Sequence, residues 1–206
     1  MVPTTEMARD EREQFASFLD GLTPEQWSSP TLCEMWTVRD VAIHTVSYDE
    51  LSAAGLVARF LKGRLNTDRI NAIGVADYAD RAPEQITAMI RAHAEPHGLT
   101  GGFGGRIALT DGMIHQQDIR RSVGIRRTID PDRLRTALDF ARFAPTIRGA
   151  WRARGVRLVA TDLDWSHGTG PEVRGTGEAL LMAMAGRRAA LDDLDGPGKA
   201  KLARHI

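Results

Sequence analysis

The stretch Thr110-Asp111-Gly112-Met113-Ile114-His115-Gln116-Gln117-Asp118-Ile119-Arg120-Arg121 decides how the rest of the chain is read. A helix turns about 100° per residue, so Asp111 and His115 project from one face a turn apart, with Asp118 beside them. Ile107, Ala108 and Ile114 share that arc, which therefore faces a protein interior. A carboxylate on such an arc is expensive to bury unless it is paired, protonated or metal-bound. A divalent ion would use Asp111 and His115 together, whereas Arg120 or Arg121 would have to fold back over the helix. A third ligand must come from another element. His44, in Val41-Ala42-Ile43-His44-Thr45-Val46-Ser47-Tyr48, is the candidate, and as a single inward histidine it also suits an ordinary hydrogen-bonded core position.

Working outward, residues 5–20 form an amphipathic helix with Met7, Phe15, Phe18, Leu19 and Leu22 on the apolar side, stopped near Gly21. Thr23-Pro24-Glu25-Gln26 carries a capping threonine, a proline at the first helical position and a glutamine at the third. A second capping signal, Thr37-Val38-Arg39-Asp40, opens a long helix expected to run to about Leu61, with Val41, His44, Thr45, Tyr48, Ser52 and Gly55 on one arc. The sparse apolar pattern around Ile73, Val75 and Tyr78 assigns no element. Pro83-Glu84-Gln85 starts a helix that ends before Pro96 and Gly98, and the glycine-rich residues 98–105 lack the spacing of a phosphate cradle. The central helix starts near Arg106 and stops at Gly124. Residues 1–125 thus read as a bundle of four main helices with ligands facing inward.

Asp130-Pro131-Asp132 caps a further helix. The β-branched run Gly155-Val156-Arg157-Leu158-Val159-Ala160-Thr161-Asp162-Leu163 and the short Pro171-Glu172-Val173-Arg174 predict a two-strand element, with a turn at residues 166–170. Thr176 caps an apolar helix over residues 178–185. Residues 126–206 form a small C-terminal α/β domain.

The chain has 206 residues with 27 basic and 27 acidic side chains, so no global field recruits nucleic acid or an anionic membrane. One cysteine, Cys33, excludes an intrachain disulfide and a multi-cysteine metal site, and a small buried filler is its default role. The first residues carry neither a basic leader nor an apolar run, and no stretch approaches the ~18 apolar residues of a membrane helix, which points to a cytoplasmic protein. Among the other histidines, His93 and His97 are also four apart, but Pro96 interrupts the helix, so they are expected as solvated helix-end residues. His167 and His205 are expected to be exposed. Asp162 and Asp164 read as turn caps, and Asp192, Asp193 and Asp195 miss calcium-loop spacing.

Thr31-Leu32-Cys33-Glu34-Met35-Trp36-Thr37-Val38-Arg39-Asp40-Val41-Ala42-Ile43-His44 resembles the Cys-x-x-Trp-Thr-Val-x-Asp-Val-x-x-His entrance to the second helix of the mycothiol-dependent maleylpyruvate isomerase family, a group of DinB-like metal-binding four-helix bundles. Asp111 through Arg121 is similar to its second motif, an acidic residue ahead of His-x-x-Asp-Ile-Arg-Arg. The run from Gly155 to Trp165, together with Gly170-Pro171-Glu172-Val173-Arg174-Gly175, Glu178-Ala179-Leu180-Leu181 and Gly186-Arg187, resembles its C-terminal α/β domain. The resemblance implies a mainly α protein, a DinB-like four-helix bundle followed by a small α/β module. It implies metal ligands His44, Asp111 and His115, with zinc first and nickel or iron as alternatives, and a supporting role for Asp118. The family pattern has Glu where this chain has Asp111. The expected activity is a mycothiol-dependent isomerase or transferase acting on a small electrophilic substrate, the low-molecular-weight thiol being a partner and Arg187 or Arg174 a clamp for a substrate carboxylate. A non-catalytic metal- or ligand-binding stress protein, a metal-dependent hydrolase and a homodimer all stay open.

Overall fold

The computed structural model describes residues 2–206. Helices dominate: α1 (Thr4–Asp20), α2 (Pro24–Trp27), α3 (Val38–Val46), α4 (Ala53–Lys62), α5 (Thr67–Ala76), α6 (Pro83–Ala92) and α7 (Arg106–Ser122) make up the first of two compact units, Met1–Ile125. α1 packs on α6 and α7, and α3 packs on the same two helices, which closes a ring of four. Phe15, Leu19, Val41, Ile43, Ile86, Ile90 and Ile119 fill its centre. α4 and α5 pack on each other, and α5 packs on α3.

Local chemistry sets several of these boundaries. Thr23 and Thr37 each form a full capping box, with Gln26 and Asp40 respectively. That satisfies backbone N–H groups that the first helical turn leaves without partners. α7 begins after Gly105, whose φ of 84° lies in the left-handed region. A Cβ there would stand 3.2 Å from the Cα of Thr5, so glycine also permits the close approach of α1 and α7.

The long second helix expected from the sequence is broken. α3 ends at Val46 and α4 begins at Ala53, so Ser52 and Gly55 do not continue the arc of His44. No proline or glycine lies between them; the break is held by tertiary bonds instead. Asp49, in the break, receives Arg12 Nη1 at 3.2 Å and Nη2 at 2.9 Å, and Thr100 Oγ1 donates to the same carboxylate. Arg12 also donates to the His93 carbonyl, and His97 Nε2 donates to the Asp49 carbonyl at 2.9 Å. Arg12 and Asp49 are both buried, as is Glu11, although α1 reads as an outer charged face at these positions. The unassigned stretch near Ile73 is α5, capped by Asn66, whose side chain accepts from Arg69 N.

The second unit, Arg126–Ile206, contains α8 (Pro131–Ala141), α9 (Gly149–Arg152), α10 (Gly177–Met184), α11 (Lys199–Ala203) and a 3-10 helix over Arg188–Asp193. Its sheet has three strands rather than two: β1 (Arg157–Ala160), β2 (Ser166–Gly168) and β3 (Glu172–Gly175), in the order β2-β1-β3. β1 pairs antiparallel with β2, Leu158 opposite His167, and parallel with β3, Leu158 opposite Val173. The segment expected as a turn thus supplies an edge strand. Its Ser-His-Gly composition carries no strand signal, and pairing with β1 imposes the conformation. α10 packs on α8 and on β1, and the Asp162 carboxylate accepts from Gly177 N at 2.8 Å. Among the described residues, no helix is long and apolar enough to cross a membrane.

Removing Arg12 strands the buried Asp49 carboxylate, and losing one partner of a buried pair costs about 3–5 kcal/mol. Arg12→Ala is therefore expected to lower the urea-unfolding free energy by that amount, and a loss below about 1 kcal/mol contradicts the role given to this pair.

Candidate metal centre

The site lies within the first unit, between α3 and α7. His44 is on the second turn of α3, behind the Thr37 cap, and is buried. From residue 108 to residue 119, α7 is buried at every position except Asp111. Asp111 keeps 43% of its side chain exposed. Its burial therefore does not demand an ion, as its helical arc suggested; Asp111 is the point at which this otherwise enclosed helix opens to solvent.

Three side chains converge there. Asp111 Oδ1 lies 3.6 Å from His115 Nε2, and Oδ2 lies 3.9 Å from His44 Nε2. The two imidazoles meet edge to face, with centroids 4.8 Å apart at 83°. Every donor atom of this set is within 4.8 Å of the others. A tetrahedral ion with bonds of ~2.0–2.2 Å needs donors roughly 3.4 Å apart, so small side-chain movements suffice and the donor set fits a divalent cation. Aspartate, one methylene shorter than the glutamate of the resembling pattern, reaches both rings from its place on α7. Partial enclosure by protein raises the carboxyl pKa of Asp111, but the neighbouring His115 and His44 and the more distant Arg12 outweigh it. Its carboxyl is held well below the ordinary range, and the half-open side chain is partly screened.

Other residues shape these ligands. His115 Nδ1 donates to Asp118 Oδ2 at 3.0 Å, and Asp118 is fully buried. That bond leaves Nε2, the nitrogen facing Asp111, with its lone pair available. Trp36 stacks obliquely on His44 at 4.9 Å and lies 6.4 Å from His115. Tyr48 meets His44 edge-on at 6.1 Å and donates to Asn71 Oδ1 on α5. Burial, the largest influence, pushes the Tyr48 hydroxyl up to about 12, so it stays protonated. Together Trp36 and Tyr48 form an aromatic wall. Trp36 is recognisable in the sequence only as part of a motif, since a lone tryptophan in a loop carries no periodic signal.

The remaining candidates each have other contacts. His93 and His97 do converge, with centroids 5.2 Å apart, although Pro96 lies between them; His93 caps the end of α6 and His97 is exposed, as expected of helix-end residues. They are engaged in structure: His93 Nε2 binds Glu50 at 2.6 Å and His97 binds the Asp49 carbonyl. In the second unit, His167 is partly buried, with its Nδ1 3.2 Å from Arg142 Nη1. Burial first and Arg142 second lower its pKa. His205 is also partly enclosed rather than exposed, and bonds the Arg152 carbonyl at 2.9 Å. Arg187 precedes the 3-10 helix and donates to the Ala185 carbonyl, while Arg174 pairs with Glu172 at 2.7 Å.

Residues 8–97 match the family model described as Mycothiol maleylpyruvate isomerase N-terminal domain, in agreement with the resemblance carried by the sequence motifs. The fold is similar to two crystal structures, of the mycothiol-dependent maleylpyruvate isomerase and of a histidine-to-alanine mutant of it. Each is 14% identical in sequence and covers 95% of this chain and 92% of its own, with TM-scores of 0.58 and 0.59. The architecture is the DinB-like fold of that isomerase. No curated protein matches the chain by sequence.

Asp118→Leu removes the acceptor that orients His115 and is expected to weaken divalent-cation binding ~10–100-fold, read by competition with a chromophoric chelator. Unchanged affinity contradicts an orienting role.

Proposed function

We propose that this chain is a divalent-metal-dependent enzyme of low-molecular-weight thiol chemistry, a mycothiol-dependent isomerase or transferase acting on a small electrophilic substrate. The observation that carries the proposal is the convergence of His44, Asp111 and His115 where α7 opens to solvent. Two neutral imidazoles and one carboxylate carry one negative charge. A divalent ion held by them keeps net positive charge and an open coordination position, which suits an external anionic donor. Zinc fits this donor set first, and nickel or iron also fit it.

When bound, such an ion lowers the pKa of a thiol at that open position, so that the thiolate predominates near neutral pH. The protein's own residues set the conditions. Asp118 holds the His115 proton on Nδ1 and so presents Nε2. Asp111, whose carboxyl is held well below the ordinary range, supplies the anionic donor. Trp36 and Tyr48 exclude water from one side of His44, which strengthens the electrostatic contacts within. In an isomerase, a thiolate adding to a conjugated double bond turns it into a rotatable single bond; rotation and elimination then return the thiolate. In a transferase the carbon–sulfur bond is kept and the leaving group departs instead. The match of residues 8–97 supports mycothiol as the thiol.

Elemental analysis of purified protein is expected to find about one divalent ion per chain, lost from His115→Ala and held more weakly by His44→Ala, which a chelator empties at a concentration that leaves the wild type loaded. Undiminished metal content and retention in both variants overturns the proposal. In calorimetry, mycothiol is expected to bind the loaded protein and not the stripped protein. An absence of heat combined with cleavage of a simple ester would replace thiol chemistry with metal-dependent hydrolysis.

A further inference from the structure

His115 belongs to two donor sets. Its Nε2 faces Asp111 at 3.6 Å and its Nδ1 faces Asp118 at 3.0 Å. On the Asp118 side, Cys33 completes a second group: one ligand atom each from Cys33, His115 and Asp118, all within 4.8 Å of one another. The loop that brings Cys33 there is tied down. Leu32 N donates to the Asp118 carbonyl at 3.4 Å, Cys33 N to Thr31 Oγ1 at 3.1 Å, and Thr31 N to the Trp36 carbonyl at 3.1 Å. Cys33 is partly exposed, so an ion has a route to it, and it packs against the core cluster beside Trp36.

We propose that Cys33, His115 and Asp118 form a second, thiolate-containing cation site that competes with the first for His115. The chemistry of the two sets differs. His44, Asp111 and His115 offer one negative charge. A Cys33 thiolate, the Asp118 carboxylate and a neutral imidazole offer two, which neutralises a divalent ion without an external anion. A soft donor also shifts preference towards zinc and other thiophilic ions and away from magnesium or manganese. A neutral imidazole has one lone pair, on Nε2 when Nδ1 carries the proton and the reverse in the other tautomer. One chain therefore fills one set or the other. Occupying the second set withdraws from His115 the carboxylate that orients it for the first, so the second set acts as a holding or inhibitory position for the same ion.

Cobalt(II) tests this, because a thiolate ligand gives a sulfur-to-cobalt charge-transfer band in the near ultraviolet that nitrogen and oxygen ligands do not. His44→Ala weakens the first set and leaves Cys33, His115 and Asp118 untouched. Titrated with cobalt(II), this variant is expected to develop the band as it approaches one ion per chain, and His44→Ala/Cys33→Ser is expected to lack it. Cobalt is also expected to slow alkylation of Cys33 by iodoacetamide in His44→Ala at least tenfold. Circular dichroism establishes that both variants are folded. Two results overturn the proposal: no band in His44→Ala at saturating cobalt, or a band that persists in the double variant. An alkylation rate indifferent to cobalt also overturns it and leaves Cys33 as a packing residue. The fall in metal retention from the wild type to His44→Ala, which tests the first set, is read separately from all three outcomes.

Discussion

Between residues 108 and 119, α7 is enclosed on every side but one, by α1 across Gly112 and Glu11, by α3 at His44, and by the loop that bonds the Asp118 carbonyl. Enclosure of a helix that carries Asp111, His115, Gln116, Gln117 and Asp118 is costly unless those groups are satisfied or organised around a ligand. Among the described residues, Gln116 has no hydrogen-bond partner on either side-chain atom, and the bundle accommodates the acidic and histidine groups in two ways. Asp118, fully buried, accepts a hydrogen bond from His115 Nδ1, and Asp111 points through the one opening. The orientation of His115, the reach of Asp111 to both rings and the position of His44 follow from how α7 is packed rather than from any one contact.

The buried pair of Arg12 and Asp49 serves the same geometry from the opposite direction. By holding Asp49 in the interruption after α3, it ends that helix within one turn of His44 and brings Tyr48 round to the imidazole. Arg12 also contributes to the field that keeps Asp111 ionised. A structural ion pair and the candidate site are thereby coupled through a few residues of α1 and the break at residues 47–52. This coupling explains why Arg12 occupies the interior side of an otherwise amphipathic first helix.

What was legible in the sequence follows the range of the interactions concerned. Capping boxes at Thr23 and Thr37, the Asp130 cap and the Thr176 cap are decided within four residues, so residue type and spacing reveal them. The inward faces of His44 and His115 could be read from helical periodicity, and the motif around Trp36 linked them to one family. The break in the second helix was hidden because residues 47–52 contain no helix breaker, and Asp49 is drawn away by Arg12, 37 positions earlier. The β2 strand was hidden because its partner, not its composition, makes it a strand. The opening at Asp111 was hidden because periodicity assigns a face without telling whether a neighbour covers it.

The central claim is that His44, Asp111 and His115 hold one cation together. The most direct measurement is anomalous diffraction from crystals of the protein loaded with zinc, collected on both sides of the zinc absorption edge. The account predicts one strong anomalous peak within bonding distance, ~2.0–2.2 Å, of His44 Nε2, His115 Nε2 and an Asp111 oxygen. An absence of anomalous density between these three side chains at saturating zinc contradicts it.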